Sequence, residues 1–281
     1  MEVVGGMDVV GQLPATVQEL FGLQGKVALV LGGGYGMGEA CAKWLAHAGC
    51  DVVIGEIIPE RAERVAADIR SMGRRSHAAI GDMTDHATVD RLLPEAEAEL
   101  GGIDILVSII GQAGWFTFLD MSAEDWALDQ RRNLEYFVHC SQWVARSIAR
   151  RGTGGAICAI ASVDGIGPSP MHASYGAAKA GIISMVRTMA SELAEFGIRV
   201  NCIAPGTTKT PRAISRSSYE AVDERAKTMG IPLGRAGHTS EIARAVLFLV
   251  SDMSPYVTGI TLPLDGGWLV MRPDIGSGNR R

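Results

Sequence analysis

The amino-acid sequence predicts an α/β protein built on a Rossmann-type, doubly wound parallel sheet of about seven strands with helices on both faces. Apolar runs without polar alternation recur along the chain, and such runs are typical of strands covered on both faces. Helical segments separate them, which requires parallel strands joined by right-handed crossovers. Composition does not shift along the 281 residues, so we predict one domain, residues 23–281, after an N-terminal extension, residues 1–22.

The first half of the chain contains four predicted strands, at residues 27–31, 51–55, 76–80 and 103–110. The helices predicted between them span residues 39–48, 59–72 and 85–100. Each of these helices is followed directly by a glycine, the usual residue for the left-handed conformation that ends a helix. Pro59 suits a first helical turn because its fixed φ matches the helix.

The second half continues the alternation. Ser122 and Asp125 resemble a capping box and open a long helical stretch. The remaining predicted strands span residues 155–161, 198–204 and 260–264, and the remaining helices span residues 173–196 and 239–250. We predict that residues 207–229 form a lid over the substrate.

Composition limits the classes of partner. The net charge of −5 argues against nucleic acid or an anionic membrane as a partner, because both bind basic surfaces. The five cysteines include no C-x-x-C pair, which favours reduced core thiols and a cytoplasmic location. Residues 1–13 lack the pattern of a signal peptide, and no apolar stretch is long enough to span a bilayer. We predict no metal site.

A glycine loop follows the first strand and opens the first helix of the domain. Its predicted cofactor-binding residues are Gly32, Gly34, Tyr35, Gly36, Met37 and Gly38. In that position a backbone without side chains can approach a pyrophosphate, and helix N–H groups face the anion. A tight turn without a ligand is the alternative interpretation.

An acidic residue ends the second strand. Glu56 lies 18 residues after Gly38, where a carboxylate can accept hydrogen bonds from the adenosine ribose and repel a 2′-phosphate. No lysine or arginine follows before Arg61, so we predict NAD (NADH/NAD+) rather than NADP as the cofactor. Asp82 follows the third strand and could accept a hydrogen bond from the adenine amino group. A solvated loop glutamate is the alternative for Glu56.

Tyr175 and Lys179 share one face of a predicted helix, because positions four apart on a helix are neighbours. An ammonium beside a phenol favours the phenolate and is expected to lower the pKa of Tyr175 toward neutrality. Such a phenol can act as a general acid in carbonyl reduction or as a base in alcohol oxidation. Ser162 lies 13 residues before Tyr175, at the carboxyl edge of the sheet where open α/β folds bind ligands.

With these residues in order, residues 23–270 resemble a classical short-chain dehydrogenase/reductase. The positions that match the family's motifs are Gly32, Gly36, Gly38, Asp82, Asn133, Ser162, Tyr175, Lys179, the 201–210 segment and the 265–267 turn. The resemblance implies that Tyr175 exchanges the proton and Ser162 hydrogen-bonds the substrate oxygen. It also implies that Lys179 binds the nicotinamide ribose and that Asn133 holds a water on the proton path.

The resemblance extends the cofactor site to Met83, Gly111, Pro205, Gly206, Thr208 and Thr210. It also implies a homotetramer. Two positions depart from the family: Leu31 replaces a threonine, and Ser108-Ile109-Ile110-Gly111 replaces Asn-Asn-Ala-Gly. Because the replaced groups tie strands together near the adenosine, we expect this region to be held differently here.

The substrate is a small-molecule alcohol or ketone. Trp115 and Phe116, together with Asp164, Met171 and His172, lie in loops that line the cleft in the family's topology. Their apolar character favours a hydrophobic or cyclic substrate, and packing under a lid or at an interface is the alternative. Two other functions remain open: a 3-oxoacyl-carrier-protein reductase, which the acidic Glu56 disfavours, and a non-catalytic NAD-binding scaffold, which the complete tetrad disfavours.

Overall fold

A computed structural model describes residues 16–271 and contains the predicted parallel sheet. Its seven strands run in the order β3-β2-β1-β4-β5-β6-β9, and every neighbouring pair is parallel. These strands are β1 (Val27–Leu31), β2 (Asp51–Glu56), β3 (Ser76–Ile80), β4 (Ile105–Ser108), β5 (Gly155–Ile160), β6 (Ile198–Pro205) and β9 (Thr261–Leu264). The strand order reverses between β1 and β4, the place where open α/β sheets form their ligand crevice.

Helices cover both faces of the sheet. The chain forms α1 (Val17–Phe21), α2 (Gly36–His47), α3 (Pro59–Ser71), α4 (His86–Leu100), α5 (Ala123–Gln130), α6 (Tyr136–Arg151), α7 (Ala173–Glu192), α8 (Pro211–Ser215), α9 (Tyr219–Thr228) and α10 (Thr239–Val250). Helices α4, α6 and α7 pack on one face, and α2, α3 and α10 pack on the other. Because strand side chains alternate between faces, Leu29 joins the first core whereas Ala28 and Val30 join the second.

The predicted order of elements is confirmed, and several boundaries were wrong. The fourth strand ends at Ser108 rather than at residue 110, because the following residues leave the sheet to line a cavity. The first helix of the domain begins at Gly36, three residues earlier than predicted. The predicted 173–196 helix ends at Glu192 and is followed by a separate 3-10 turn, Ala194–Phe196.

The predicted lid, residues 207–229, contains regular structure that the sequence analysis missed. Strand β7 (Thr208–Lys209) pairs with β8 (Gly237–His238), and α8 and α9 follow β7. Lys209 forms an ion pair with Asp223 at 2.6 Å, which ties β7 to α9. The lid role itself stays a prediction.

The structure describes only part of the predicted N-terminal extension and of the predicted domain. Residues 1–15 of the predicted extension and residues 272–281 of the predicted domain lie outside the described residues. Within residues 16–22, Phe21 packs against the core and its carbonyl accepts a hydrogen bond from the Asp252 N–H.

All five cysteines are buried and free, which confirms their prediction as core thiols. Among residues 16–271, no helix is long and apolar enough to cross a membrane.

Candidate active site

A cavity of about 520 Å³ lies beside the carboxyl ends of β1, β2, β3 and β4, next to the reversal of strand order. Its volume falls in the usual range for cofactor sites, roughly 300–1,000 Å³. Nine predicted cofactor-binding residues line it: Gly32, Tyr35, Gly36, Met37, Glu56, Asp82, Met83, Gly111 and Thr210. We call it the larger cavity.

The glycine loop brings the N-terminus of α2 to the larger cavity. A Cβ atom on Gly38 would lie 1.9 Å from the carbonyl oxygen of Gly32, so a side chain there would push the loop and helix apart. Gly34 and Gly38 stand behind the loop rather than on the cavity wall. Because free N–H groups at a helix N-terminus attract anions, the loop suits a pyrophosphate.

Glu56 is held rigidly at the end of β2. Its Oε2 accepts a hydrogen bond from the Gly34 N–H at 3.2 Å, and Oε1 accepts from Ile57 at 3.1 Å and Ile58 at 3.2 Å. The side chain is buried, yet it lines the larger cavity. A fixed carboxylate at this position suits the two hydroxyls of an adenosine ribose.

Arg61, which the sequence marks only as the first basic residue after Glu56, also lines the larger cavity. Its guanidinium carbon lies 4.3 Å from the centroid of the Tyr35 ring. A Cβ atom on Gly34 would lie 2.7 Å from the Glu56 side chain and 2.9 Å from the Arg61 Cβ, so Glu56 and Arg61 both flank Gly34. The signal was available, because Arg61 falls in the first turn of a helix that starts at the same cavity.

The part of the larger cavity that follows β3 contains Asp82, the predicted adenine contact, and Met83. The Oδ1 atom of Asp82 accepts hydrogen bonds from the Thr84 N–H at 2.9 Å and the Thr84 hydroxyl at 2.8 Å. Met83 is buried in the core and supplies an apolar wall. Arg132 lines the same cavity and was also missed by the sequence analysis.

Tyr175 and Lys179 lie on α7 as predicted, with the Lys179 Nζ atom 5.5 Å from the Tyr175 ring centroid. Lys179 is buried, and its Nζ donates to the carbonyl oxygen of Ile160 at 2.8 Å. Ile160 ends β5, and Ser162 follows two residues later, close enough to the Tyr175 hydroxyl to lower its pKa. The two catalytic candidates on α7 are thus joined to the end of β5.

Asn133 reaches the same point through a turn of π-helix, Arg131–Glu135, which lies between α5 and α6. Its side chain is fully buried, donates to the carbonyls of Gln112 at 3.0 Å and Asp129 at 2.9 Å, and accepts from the Gln112 N–H. A Cβ on Gly111 would lie 2.7 Å from Asn133 Oδ1 and 3.2 Å from Lys179 Nζ. Asn133 and Lys179 therefore converge on Gly111, at the edge of the larger cavity.

Burial controls the titration of the pair on α7, and the expected pKa of Tyr175 was wrong. Burial raises the pKa of Tyr175 to about 12, opposed by its hydrogen bond with Ser162. Burial also lowers the pKa of Lys179 to about 7. With a pKa of about 7, Lys179 is only partly charged at neutral pH and does not supply the full ammonium charge on which the expectation depended.

The two positions that depart from the family pattern, Leu31 and the 108–111 segment, are held by packing and by hydrogen bonds. Leu31 is fully buried in the core, and the Ser108 hydroxyl donates to Tyr136 Oη at 2.9 Å. The Tyr136 hydroxyl in turn donates to the Ile110 carbonyl at 2.7 Å. A hydroxyl relay from β4 to α6 therefore holds the 109–111 segment beside the larger cavity.

A smaller cavity, of about 210 Å³, opens on the other side of Ser162. It is lined by Ser162, Val163, Asp164, Pro205, Gly206, Thr207, Met229, Ile231 and Trp268. Thr208 lines neither cavity and instead donates its hydroxyl to the Gly206 carbonyl at 3.1 Å. The Thr210 hydroxyl accepts a hydrogen bond from the Ala213 N–H at the start of α8. Because Pro205 and Gly206 line the smaller cavity and Thr210 lines the larger one, the predicted nicotinamide segment runs between the two.

The predicted substrate residues form a joined wall near Tyr175. The Phe116 N–H donates to the Met171 carbonyl at 2.9 Å, and Trp115 contacts the His172 ring edge-on at 4.1 Å between centroids. The His172 ring lies 6.1 Å from that of Tyr175. Met171 has a φ of 68°, an uncommon conformation for a residue with a side chain. The two loops are therefore fixed to each other beside Tyr175.

Asp129 is a buried carboxylate that no sequence pattern indicated, and it is hydrogen-bonded to both loops' neighbouring residues. Asp129 Oδ2 accepts from the Ser174 hydroxyl at 2.6 Å and from the Gly114 N–H at 3.2 Å. Because Ser174 precedes Tyr175 and Gly114 precedes Trp115, Asp129 links the catalytic helix to the aromatic loop. Among the described residues, no group of three or more His, Cys, Asp and Glu could hold a metal ion.

Comparisons with known proteins agree with this geometry. A family model described as enoyl-(acyl carrier protein) reductase matches residues 32–269. The 2-dehydro-3-deoxy-D-gluconate 5-dehydrogenase of Escherichia coli (strain K12) is 37% identical over 254 residues, covering 89% of this chain and 97% of that protein. The 3-oxoacyl-[acyl-carrier-protein] reductase of Thermotoga maritima is 33% identical, covering 88% of this chain and 99% of that protein.

A solved structure has a sequence identity to this chain similar to that of these two relatives. The 7α-hydroxysteroid dehydrogenase complexed with NADH and 7-oxo glycochenodeoxycholic acid superposes on this chain with a TM-score of 0.83 at 34% sequence identity. The match covers 90% of this chain and 97% of that one. The likeness therefore spans both cavities and the elements that carry the candidate catalytic residues.

The buried amino group of Lys179 leads to a testable pH dependence of stability. The unfolded chain holds a proton on Lys179 up to its ordinary pKa of 10.5, whereas the folded protein releases it near pH 7. Between these values the unfolded state binds more protons, so the cost of burying Lys179 falls as pH rises. We expect the free energy of unfolding of the cofactor-free wild type, relative to Lys179→Met, to increase from pH 7 to pH 9, by at most about 1.4 kcal/mol per pH unit.

Urea denaturation of both proteins at several pH values measures this difference. The exposed Lys227, whose pKa is raised by Glu224 rather than lowered, provides the control variant Lys227→Met. A difference between wild type and Lys179→Met that stays flat over this range would contradict the assignment of a depressed pKa.

Proposed function

The chain belongs to the classical short-chain dehydrogenase/reductase family of oxidoreductases, and from that premise we propose that it interconverts a secondary alcohol and a ketone with NAD(H). The observation that carries the proposal is the grouping of Asn133, Ser162, Tyr175 and Lys179: Asn133 and Lys179 meet at Gly111 on the wall of the larger cavity, and Ser162 lines the smaller cavity. The larger cavity suits a dinucleotide, and the smaller one suits a small organic substrate.

Each side chain has a distinct task in this proposal. The Tyr175 hydroxyl gives its proton to the carbonyl oxygen in reduction and takes it back in oxidation. Ser162 donates a hydrogen bond to the same oxygen and stabilises the charge that develops there. A bound nicotinamide supplies the hydride donor or acceptor.

Lys179 and Asn133 complete the proton path. A charged Lys179 ammonium near the Tyr175 ring favours the phenolate, and its pKa of about 7 places the change of charge near neutrality. Asn133 is held by Gln112 and Asp129, with its amide beside Lys179. We propose that Asn133 orients a water that relays protons away from Lys179.

Glu56 supports NAD as the cofactor. Its two oxygens are fixed by three backbone N–H groups, so the carboxylate cannot swing away from a 2′-phosphate. The similar 7α-hydroxysteroid dehydrogenase was solved with NADH. Arg61 beside Tyr35 works in the opposite direction and would attract a 2′-phosphate, which makes Glu56 the decisive group.

For the substrate we propose a hydrophobic or cyclic alcohol or ketone. Trp115 and Phe116 are tied to Met171 and His172 beside Tyr175, which forms a largely apolar wall. The 7-oxo steroid in the similar structure supports a ring-shaped substrate.

A 3-oxoacyl-carrier-protein reductase is the second candidate, favoured by the similarity to the enzyme of Thermotoga maritima. The acidic Glu56 disfavours it, because NADPH is the cofactor common to those reductases. A non-catalytic NAD-binding scaffold would not need the four converging side chains. A panel of ketones, alcohols and a 3-oxoacyl thioester, assayed with both cofactors, separates the three functions.

The role of Tyr175 can be tested by removing only its phenolic oxygen. We expect Tyr175→Phe to reduce kcat by about 10²–10⁴-fold, because the general acid is lost. The NADH dissociation constant, measured by fluorescence titration, should remain close to that of the wild type. The fully exposed Tyr256 provides the control Tyr256→Phe, which should retain wild-type turnover. Wild-type turnover by Tyr175→Phe would refute the mechanism.

Cofactor preference depends on Glu56. We expect Glu56→Ala to reduce the ratio of kcat/KM for NAD+ over NADP+ by about tenfold or more, since a charge-assisted hydrogen bond is lost and Arg61 is left unopposed. Glu60→Ala, an exposed carboxylate on α3, is the matched control. An unchanged ratio in Glu56→Ala would show that another group selects the cofactor.

We also propose that the protein is a homotetramer, which rests on its family. Multi-angle light scattering at micromolar concentration should give a mass four times that of the chain. A monomer mass under these conditions would contradict the proposal.

A further inference from the structure

Asp164 is a carboxylate inside the smaller cavity, and the proposed reaction does not use it. The described residues that line this cavity include no lysine, arginine or histidine. Asp164 also forms no ion pair among residues 16–271. The Asp164 side chain is half-buried, and a carboxylate on a cavity wall that carries no cation suits a ligand group that donates a hydrogen bond to it.

The fold holds Asp164 close to the reacting oxygen. Residues Val163–Gly165 form a 3-10 turn directly after Ser162, and the Asp164 N–H donates to Ser162 Oγ at 3.1 Å. The carboxylate is near enough to Tyr175 to raise the pKa of its hydroxyl. A substrate oxygen bound between Ser162 and Tyr175 therefore has Asp164 as a neighbour.

The surroundings of Asp164 favour a hydroxyl as its partner. Burial raises the pKa of this carboxyl, and the imidazole of His172 and the hydroxyl of Ser169 work against the increase. The cavity wall beside it is apolar, from Val163, Ile231 and Trp268. An ammonium would need full desolvation there, whereas a hydroxyl donates to either oxygen of the carboxylate at much lower cost. A substrate carboxylate would be repelled.

We propose that Asp164 selects substrates with a second hydroxyl next to the reacting carbon, so that the substrate class is the vicinal diol and its hydroxyketone product. This inference rests on the proposed alcohol/ketone chemistry. The reacting carbon gives its hydride to the cofactor and its hydroxyl proton to Tyr175. The second hydroxyl donates a hydrogen bond to Asp164 and leaves unchanged.

Two matched substrate pairs test the proposal with the full chain and NAD+. They are cyclohexane-1,2-diol with cyclohexanol, and butane-2,3-diol with butan-2-ol. We expect the wild type to favour the diol by about tenfold or more in kcat/KM, as for one hydrogen bond to a charged group. Asp164→Ala should bring the ratio near one, and Asp164→Asn, which keeps an acceptor oxygen, should give an intermediate ratio.

Controls separate recognition from folding. Glu124→Ala removes an exposed carboxylate outside the cavities and should keep the wild-type ratio. The intermediate ratio in Asp164→Asn is itself diagnostic, because a general structural defect would lower kcat/KM for both members of a pair and leave their ratio unchanged.

The failures of the two proposals are distinguishable. Equal turnover of diol and monoalcohol by the wild type, or a diol preference that survives Asp164→Ala, would overturn the assignment of Asp164 alone. A preference for 2-aminocyclohexanol over the diol would overturn it in favour of an ammonium. A wild type that binds NADH yet oxidises no alcohol in this set or in the broader panel would overturn the proposed function itself.

Discussion

The bond between Lys179 and the Ile160 carbonyl is the contact on which the candidate active site depends. It places a buried amino group of α7 against the last residue of β5, two residues before Ser162. Because the ammonium is almost fully removed from water, its protonation is costly and its pKa falls to about 7. The same junction leaves room for no side chain at residue 111, so Asn133 and Lys179 approach each other across a bare backbone.

Desolvation also explains why the pair on α7 differs from the simple picture of a lysine beside a tyrosine. Burial raises the pKa of Tyr175 to about 12 while it lowers that of Lys179 to about 7, so burial disfavours the charged form of each group. Ser162 is the polar group that opposes this effect on Tyr175, which couples the proton donor to the group that meets the substrate oxygen.

Buried polar links hold the rest of the site in place. Ser108 and Tyr136 tie the end of β4 to α6, and Asp129 joins the catalytic helix to the aromatic loop through Ser174. Each link replaces water with a short, directional contact in a region of low dielectric, where an unpaired group would be costly. These links hold the 109–111 segment beside the larger cavity and fix the aromatic loop to the start of α7.

The parallel α/β sheet, the order of its elements along the chain and the shared helix face of Tyr175 and Lys179 can be predicted from the sequence, because apolar runs, helix caps and side chains four residues apart are local patterns. Asn133 and the role of Ser162 follow from the resemblance to the family. The direction of the Tyr175 pKa, the contact of Arg61 with Tyr35, the link through Asp129 and the place of Asp164 in the smaller cavity became visible only in the folded protein. Those properties depend on burial and on contacts between distant segments, as between Asp129 and Ser174, 45 residues apart. Desolvation is a property of the assembled molecule, and no local pattern of residues encodes it.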